Sequence, residues 1–257
     1  MHKRLDRLGE GSGASLWGGT ESPSEHKRLP VLLIVHQHAS SPGNVGNWFR
    51  DNGFPLDIRR PRFGDPLPET LEDHAGAVIF GGPQSANDNE DFIRQETEWI
   101  SVALKENKPF LGICLGAQML ALHLGGDVSA HPDGFVEHGY YPITPTEKGA
   151  AMMDWPAHVY QWHREGFRAP DGCALLAKGK LFGEQAFNYG SAFGLQFHPE
   201  ITNLVMNRWV TRSGYRLVMP GARAGAMHRK EHMQFGPRQR QWLGQFLSQW
   251  VGVAANR

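Results

Sequence analysis

The stretch 109–118, an apolar run followed by a cysteine between glycines, constrains the fold more than any other part of the sequence. The run Phe110–Ile113 is typical of a short buried strand. The apolar residues after Cys114 predict a helix that ends at the glycine pair 125–126. The cysteine is therefore expected at the junction between the end of a strand and the start of a helix.

Cys114 is flanked by Gly112 and Gly116, each two residues away. This is the spacing of a nucleophile elbow, in which small neighbours allow a sharp turn that holds a strained residue. The free N–H groups at a helix N-terminus also favour the thiolate form of a cysteine. A structural cysteine needs neither glycine, so the pattern favours a reactive Cys114 over one that only packs.

Strands and helices alternate around this elbow. Apolar runs predict buried strands at 31–36 and 75–80, and a one-sided apolar pattern predicts a helix at 91–107. This alternation predicts an α/β fold with a mostly parallel central sheet flanked by helices. After residue 126 the pattern predicts a small antiparallel extension. Its strands are expected at 135–143, 159–162, 185–189 and 192–197, the last two as a hairpin.

The two ends of the chain differ from the middle. Residues 1–30 are rich in Gly, Ser and charge and predict a disordered arm, so the expected domain is 31–257. A helix is predicted at 201–212, an irregular basic segment at 213–236 and a closing amphipathic helix at 237–251.

Charge and cysteine content exclude several classes of function. The chain has 26 Lys plus Arg and 26 Asp plus Glu, so no net charge draws it to nucleic acid or a membrane. The basic segment 223–230 has few interleaved aromatics, which favours a solvated loop or a docking patch for a partner. The two cysteines make no disulfide framework, no Cys/His pair has zinc spacing, and no apolar run could span a membrane. A cytoplasmic protein without metal or cofactor is expected.

A cysteine nucleophile needs a base, and the segment 196–200 offers one. His198 follows an apolar strand, and Pro199 fixes the backbone so that Glu200 lies beside it. The carboxylate would then orient the imidazole towards Cys114, 84 residues earlier (198 − 114), provided that the fold brings the two together. The alternative is a surface histidine with a glutamate that caps the next helix.

Donors for an oxyanion are the third requirement. The Gly-Gly-Pro turn at 81–83 ends a strand that a parallel sheet would place beside the elbow strand. Glycine N–H groups in such a turn can approach a ligand closely. The N–H groups of Gly82 and Leu115 are the expected pair. The alternative is a tight turn that uses glycine only for its backbone angles.

Together, the motifs Gly-Gly-Pro at 81–83, Gly-Ile-Cys-Leu-Gly-Ala-Gln at 112–118 and Phe-His-Pro-Glu at 197–200 resemble those of the class I, triad-type glutamine amidotransferases. The resemblance spans roughly 31–212. It implies the flavodoxin-like α/β fold of that family. It also implies hydrolysis of the glutamine side-chain amide, with release of ammonia.

The resemblance implies a role for each matched residue. Cys114 attacks the amide carbon of glutamine and forms a γ-glutamyl thioester, while the N–H groups of Gly82 and Leu115 hold the oxyanion. His198, oriented by Glu200, passes a proton to the departing ammonia. Water then releases glutamate from the thioester.

The expected glutamine pocket follows from the same resemblance. Gln118 in the elbow helix and a segment further along are expected to define it. The residues of that segment are Glu137, His138, Gly139 and Tyr140. The stretches 137–142 and 160–163 also resemble free-standing family members related to the amidotransferase domain of GMP synthetase.

One departure from the family pattern leaves the acceptor open. Only 57 residues follow Glu200 (257 − 200), too few for a synthetase domain, and the sequence has no phosphate-binding Gly-x-x-x-x-Gly-Lys-Ser/Thr loop. The ammonia acceptor is therefore expected on a synthetase or other partner protein, or is absent. Two alternatives stay open: a γ-glutamyl amide or peptide hydrolase with the same triad, and a non-catalytic regulatory or binding protein on this scaffold.

Other polar residues near strand ends have simpler interpretations. His36 and His38 follow the first strand and are interpreted as loop histidines without a catalytic duty. For the segment 163–165, a contact on the substrate side and a solvated turn are both open. Cys173 is expected only to pack.

Overall fold

The computed structural model describes residues 28–255, which form twelve strands and six α-helices. The strands are β1 (Val31–Ile34), β2 (Leu56–Arg59), β3 (Gly76–Ile79), β4 (Phe110–Ile113), β5 (Asp127–Ala130), β6 (Glu137–Pro142), β7 (Thr144–Pro145), β8 (His158–His163), β9 (Glu165–Arg168), β10 (Ala174–Lys178), β11 (Ala186–Tyr189) and β12 (Ala192–Leu195). The helices are α1 (Gly43–Asp51), α2 (Asp91–Lys105), α3 (Leu115–His123), α4 (Glu147–Met152), α5 (Asn203–Arg212) and α6 (Gly225–Ala255). Of the predicted N-terminal arm, residues 1–27 lie outside the described part of the chain.

Eight of the described strands form one central sheet. Its order is β2-β1-β3-β4-β12-β11-β10-β7, with parallel pairing from β2 to β12 and antiparallel pairing from β12 to β7. Two smaller antiparallel pairs lie outside this sheet, β5 with β9 and β6 with β8. The predicted α/β fold, with a mostly parallel sheet and an antiparallel extension, is confirmed.

Side chains of the parallel strands point alternately into two layers of core. On one face, Leu111 of β4 packs in a cluster with α1 and with Trp242 and Phe246 of α6. On the other face, Phe110 packs in a cluster with α2 and with Leu120 of α3. Strands β1, β3, β4 and β12 are buried at every position. Because both of their faces are covered, these strands are continuous apolar runs in the sequence.

The two glycines around Cys114 allow backbone segments to touch. A methyl group on Gly112 would lie 2.4 Å from the carbonyl oxygen of Gly116. A methyl group on Gly116 would lie 2.1 Å from the carbonyl oxygen of Ile79 in β3. Glycine is therefore required at both positions, because any side chain would separate α3 from the sheet.

The C-terminal region differs from the prediction. The segment 213–236, predicted as irregular, forms a 3-10 turn at 214–218 and then the first half of α6, and Pro237 lies inside that helix rather than at its start. The prediction was wrong because proline commonly begins helices. Gly236 precedes the proline and has no Cβ to clash with its ring, which eases passage of the helix. In residues 28–255, neither α6 nor another helix is both long and apolar enough to cross a membrane.

Packing against the β6–β8 pair stabilises the first half of α6. The hydroxyl of Tyr140 is 2.8 Å from His232 Nδ1, and that of Tyr160 is 3.0 Å from His228 Nδ1. These partners are 92 and 68 residues apart in the chain. The basic segment 223–230, expected as a loop or docking patch, therefore lies largely on a helix, and its His228 is fully buried.

We expect Gly116→Ala to lower the free energy of unfolding by about 2–3 kcal/mol, because the new methyl group must push α3 away from β3. Gly183→Ala is the matched control, since a methyl group there would meet no atom within 4 Å. Urea denaturation of both variants measures the difference. A Gly116→Ala protein as stable as the Gly183→Ala control would contradict the close packing of the elbow.

Candidate active site

Cys114 lies between β4 and α3 in a backbone conformation that residues other than glycine rarely adopt. Its φ is 52° and its ψ is −103°. Its N–H group donates to the carbonyl oxygen of Leu195 at 2.7 Å, which continues the pairing of β4 with β12. The residue is 6% exposed. This strained turn places the sulfur at the carboxyl end of the parallel strands.

His198 and Glu200 reach the same edge of the sheet because β12, the strand before them, runs parallel to β4. His198 Nδ1 donates to Glu200 Oε1 at 2.7 Å, and both side chains are buried. The backbone of His198 is held at both ends. Its N–H donates to the carbonyl of Tyr160 at 2.8 Å, and its carbonyl accepts from Gln239 Nε2 at 2.9 Å.

The turn after β3 packs directly on Cys114 and His198. A methyl group on Gly81 would lie 2.7 Å from His198 Cε1 and 3.3 Å from Cys114 Cβ. The second ring nitrogen of His198, Nε2, is buried and has no hydrogen-bond partner among the described residues. The structure therefore brings together the thiol, the imidazole and the glycine turn, which are far apart in the sequence.

The pKa of His198 reflects two opposing effects. Burial disfavours the charged imidazole and lowers the pKa, but the negative charges of Glu200 and of the Cys114 sulfur favour it. The charges outweigh burial and raise the pKa of His198 to about 10. At neutral pH the ring is therefore an imidazolium, and Nε2 carries a proton that it can give to a departing group.

Two backbone N–H groups lie beside this cluster. Gly82 and Leu115 are in contact, because a methyl group on Gly82 would lie 2.9 Å from Leu115 Cδ2. Leu115 is the first residue of α3, so its N–H is one of the groups without an intrahelical partner. Among the described residues, neither N–H group donates to a backbone carbonyl. The pair predicted to hold an oxyanion is thus adjacent and available to an anion.

A buried pair that sequence reasoning missed supports the glycine turn. His36, interpreted as a loop histidine, is fully buried, as is Glu96 of α2. Its Nε2 is 2.8 Å from Glu96 Oε2, and its Nδ1 is 3.2 Å from the carbonyl oxygen of Gly81. One signal was available: Glu96 lies on the apolar face of α2, four residues after Phe92, where a carboxylate needs a buried partner.

A small cavity of about 30 Å³ opens beside Cys114. Gln118 lines it, and its Nε2 donates to the carbonyl of Glu165 at 2.8 Å, which fixes the side chain. The rest of the lining comes from two turns, from β8 and from residues near it: Gly82, Pro83, Gln84, Leu115, Trp162, His163, Arg164 and Arg216. The segment 163–165, left open between a solvated turn and a substrate contact, lies in this wall.

The other four residues predicted for the pocket lie one layer behind that wall: Glu137, His138, Gly139 and Tyr140. They belong to β6, which pairs with the wall strand β8. Glu137 Oε2 is 3.0 Å from His163 Nε2, and the ring of His138 stacks on Trp162 with centroids 4.6 Å apart. The structure places them as supports of the lining residues rather than in the lining itself. Local sequence could not distinguish the two, because adjacent strands alternate in depth.

No group of three or more His, Cys, Asp or Glu side chains within residues 28–255 is arranged to hold a metal ion. The cluster can instead support chemistry by its own groups. It has a sulfur on a strained turn, a protonated imidazole oriented by a carboxylate, and two N–H groups without backbone partners. This combination is suited to acyl transfer from an amide.

Comparison with known protein sequences gives several relatives. The chain is 32% identical over 185 residues to the glutamine amidotransferase-like protein YfeJ of Salmonella typhimurium, covering 68% of this chain and 77% of that protein. It is 30% identical over 140 residues to a subunit of the glutamine-hydrolysing GMP synthase of Picrophilus torridus, covering 52% and 72%. The GMP synthase of Aeropyrum pernix is 31% identical over 194 residues, of which this chain covers only 36%.

Solved structures give the same answer for the fold. A glutamine amidotransferase from Thermotoga maritima superposes with a TM-score of 0.79 at 28% identity, covering 88% of this chain and 99% of that one. One from Methylobacillus flagellatus superposes with a TM-score of 0.82 at 24% identity, covering 88% and 95%. The family model for class-I glutamine amidotransferases matches residues 35–214. The chain therefore belongs to the class-I glutamine amidotransferase family, as its three motifs indicated.

Proposed function

We propose that this protein hydrolyses the side-chain amide of glutamine, with Cys114 as nucleophile and His198, oriented by Glu200, as proton donor. The observation that carries the proposal is the convergence of the Cys114 turn and the buried His198–Glu200 pair at one edge of the sheet. Family membership supports the same reaction, because relatives are named as glutamine-hydrolysing.

In the first step, the thiolate of Cys114 attacks the side-chain amide carbon of glutamine. The carbonyl oxygen becomes an oxyanion, which the N–H groups of Gly82 and Leu115 stabilise. The C–N bond then breaks, and His198 Nε2 gives its proton to the departing ammonia. The product is a γ-glutamyl thioester on Cys114.

In the second step, water cleaves the thioester. The imidazole of His198, now neutral, takes a proton from the attacking water and is again an imidazolium when the thiolate leaves. Glu200 keeps the ring oriented and compensates its charge in both steps. Glutamate is released and the starting state of the site is restored.

The ammonia acceptor is proposed to lie on a separate protein. Some relatives are named as one subunit of a glutamine-hydrolysing GMP synthase, and this chain covers 72% of the one from Picrophilus torridus. A synthetase partner could receive ammonia from this chain in the same way. The alternative in which the scaffold only binds or regulates is less well supported, because a binding protein has no physical need for an oriented imidazole beside a strained cysteine.

We expect Cys114→Ala to lower glutamate release from glutamine by at least ~10³-fold, because the thioester cannot form. Cys173→Ala is the matched control, since it removes the other free cysteine of the described residues, far along the chain from the elbow. Coupled detection of glutamate with glutamate dehydrogenase measures both rates. A diazo-ketone analogue of glutamine should label Cys114 and spare Cys173.

Equal rates for wild type and Cys114→Ala, or labelling of Cys173 alone, would rule out the proposed nucleophile. Absence of turnover by the wild type, with no thiol labelled, would instead support the non-catalytic alternative.

Replacing Glu200 by glutamine removes a negative charge that raises the pKa of His198 to about 10, so this pKa should fall towards its ordinary value of 6.5. The imidazolium is then lost at lower pH. We expect the alkaline decline of kcat/KM for glutamine to move down by about 1–3 pH units. Glu98→Gln, an exposed change on α2, serves as control. Unchanged pH profiles in Glu200→Gln would show that Glu200 does not hold the charge of His198.

A further inference from the structure

A second and larger cavity adjoins the one beside Cys114. Its volume is about 210 Å³, and His198 and Glu200 form part of its wall. The two cavities share four lining residues, Gly82, Pro83, Trp162 and Arg216. They are thus two sides of one site, with Cys114 lining the smaller side and the His198–Glu200 pair lining the larger.

The larger cavity is positively charged. Arg208 and Arg212, four residues apart on α5, line it together with Arg216 from the following turn. Within the described part of the chain, none of the three forms an ion pair with a carboxylate. The one acidic side chain in the wall, Glu200, is paired with His198 at 2.7 Å. Three guanidinium charges are therefore left uncompensated in the wall.

The position of this cavity indicates which part of a substrate it faces. A departing amine receives its proton from His198, so it must leave on the side that His198 lines. Ammonia is about the size of water, and a cavity needs only about 10–15 Å³ to hold one water. A space of about 210 Å³ is far larger than that. Its three arginines would also repel ammonium and any cationic amine.

We infer that this cavity is a leaving-group subsite for an amine that carries a carboxylate, so that γ-glutamyl amino acids and short γ-glutamyl peptides are substrates. The inference rests on the proposed function, because it uses the same nucleophile and proton donor. Arginine suits this role, since its planar fork binds carboxylates through two hydrogen bonds. Arg216, which lines both cavities, is nearest to the bond that breaks, and Arg212 and Arg208 extend the subsite outward.

The chemistry follows the proposed mechanism. The sulfur of Cys114 forms a bond to the γ-carbonyl carbon, and the bond from that carbon to the amino-acid nitrogen breaks. His198 Nε2 gives its proton to that nitrogen. Water then cleaves the thioester, so the products are glutamate and a free amino acid, with no further reactant.

Three substrates of similar size test the charge preference on the full-length protein. These are γ-glutamylglycine, its C-terminal amide, and the γ-glutamyl amide of ethylenediamine, with an anionic, a neutral and a cationic end respectively. We expect kcat/KM to decrease in that order, with about tenfold or more between the carboxylate and the neutral amide. Glutamate release measures all three, with glutamine as a fourth substrate.

Arg212→Gln and Arg216→Gln, singly and together, should reduce this preference for the carboxylate. The ratio of kcat/KM between γ-glutamylglycine and its amide should fall by about tenfold in the double variant. Arg94→Gln is the control, because Arg94 is an exposed arginine of α2 outside both cavities. Circular dichroism of each variant verifies that the fold is kept.

Two outcomes would overturn the inference while leaving the proposed function intact. One is hydrolysis of glutamine with no preference between γ-glutamylglycine and its amide. The other is a preference that the arginine variants leave unchanged. Failure to hydrolyse any of the four substrates would instead remove the proposed function, and the inference with it.

Discussion

The pairing of β4 with β12 is the contact on which the rest of the site depends. The two strands run parallel with Ile113 opposite Leu195, and the hydrogen bond from the Cys114 N–H to the Leu195 carbonyl extends this register by one residue. Segments that leave parallel neighbours emerge at the same edge of a sheet. Strand β3, on the other side of β4, adds the turn at Gly81. Three segments that are remote in the sequence meet because the sheet orders their strands.

Two buried imidazole–carboxylate pairs flank this edge, and they differ in one respect. In His36, Glu96 and a backbone carbonyl occupy both ring nitrogens, so the pair is complete and holds the turn. In His198, Glu200 occupies Nδ1 and leaves Nε2 without a partner among the described residues. Burying charge is unfavourable unless it is paired and hydrogen-bonded, and both pairs meet that condition. The unused nitrogen separates a group that can exchange protons from one that supports structure.

Much of the fold could be predicted from the sequence, because its signals are local. The continuous apolar runs of β3 and β4 and the glycines beside Cys114 each report a constraint within a few residues. What was missed depends on partners far along the chain. The pairing of His36 with Glu96 spans 60 residues, and the first half of α6 is held by contacts to β6 and β8. The depth of Glu137 behind the cavity likewise follows from strand pairing, which no local pattern encodes.

The family match ends at residue 214, but the fold does not. Gln239, in α6, accepts from the N–H of Tyr160 at 2.7 Å and donates to the carbonyl of His198 at 2.9 Å. One buried amide thus ties the strand behind the cavity wall to the segment that carries the imidazole. The C-terminal helix also covers one face of the sheet through Trp242 and Phe246. Anyone trimming this protein for expression, or grafting its site onto another scaffold, must therefore carry α6 along, since homology alone draws the boundary too early.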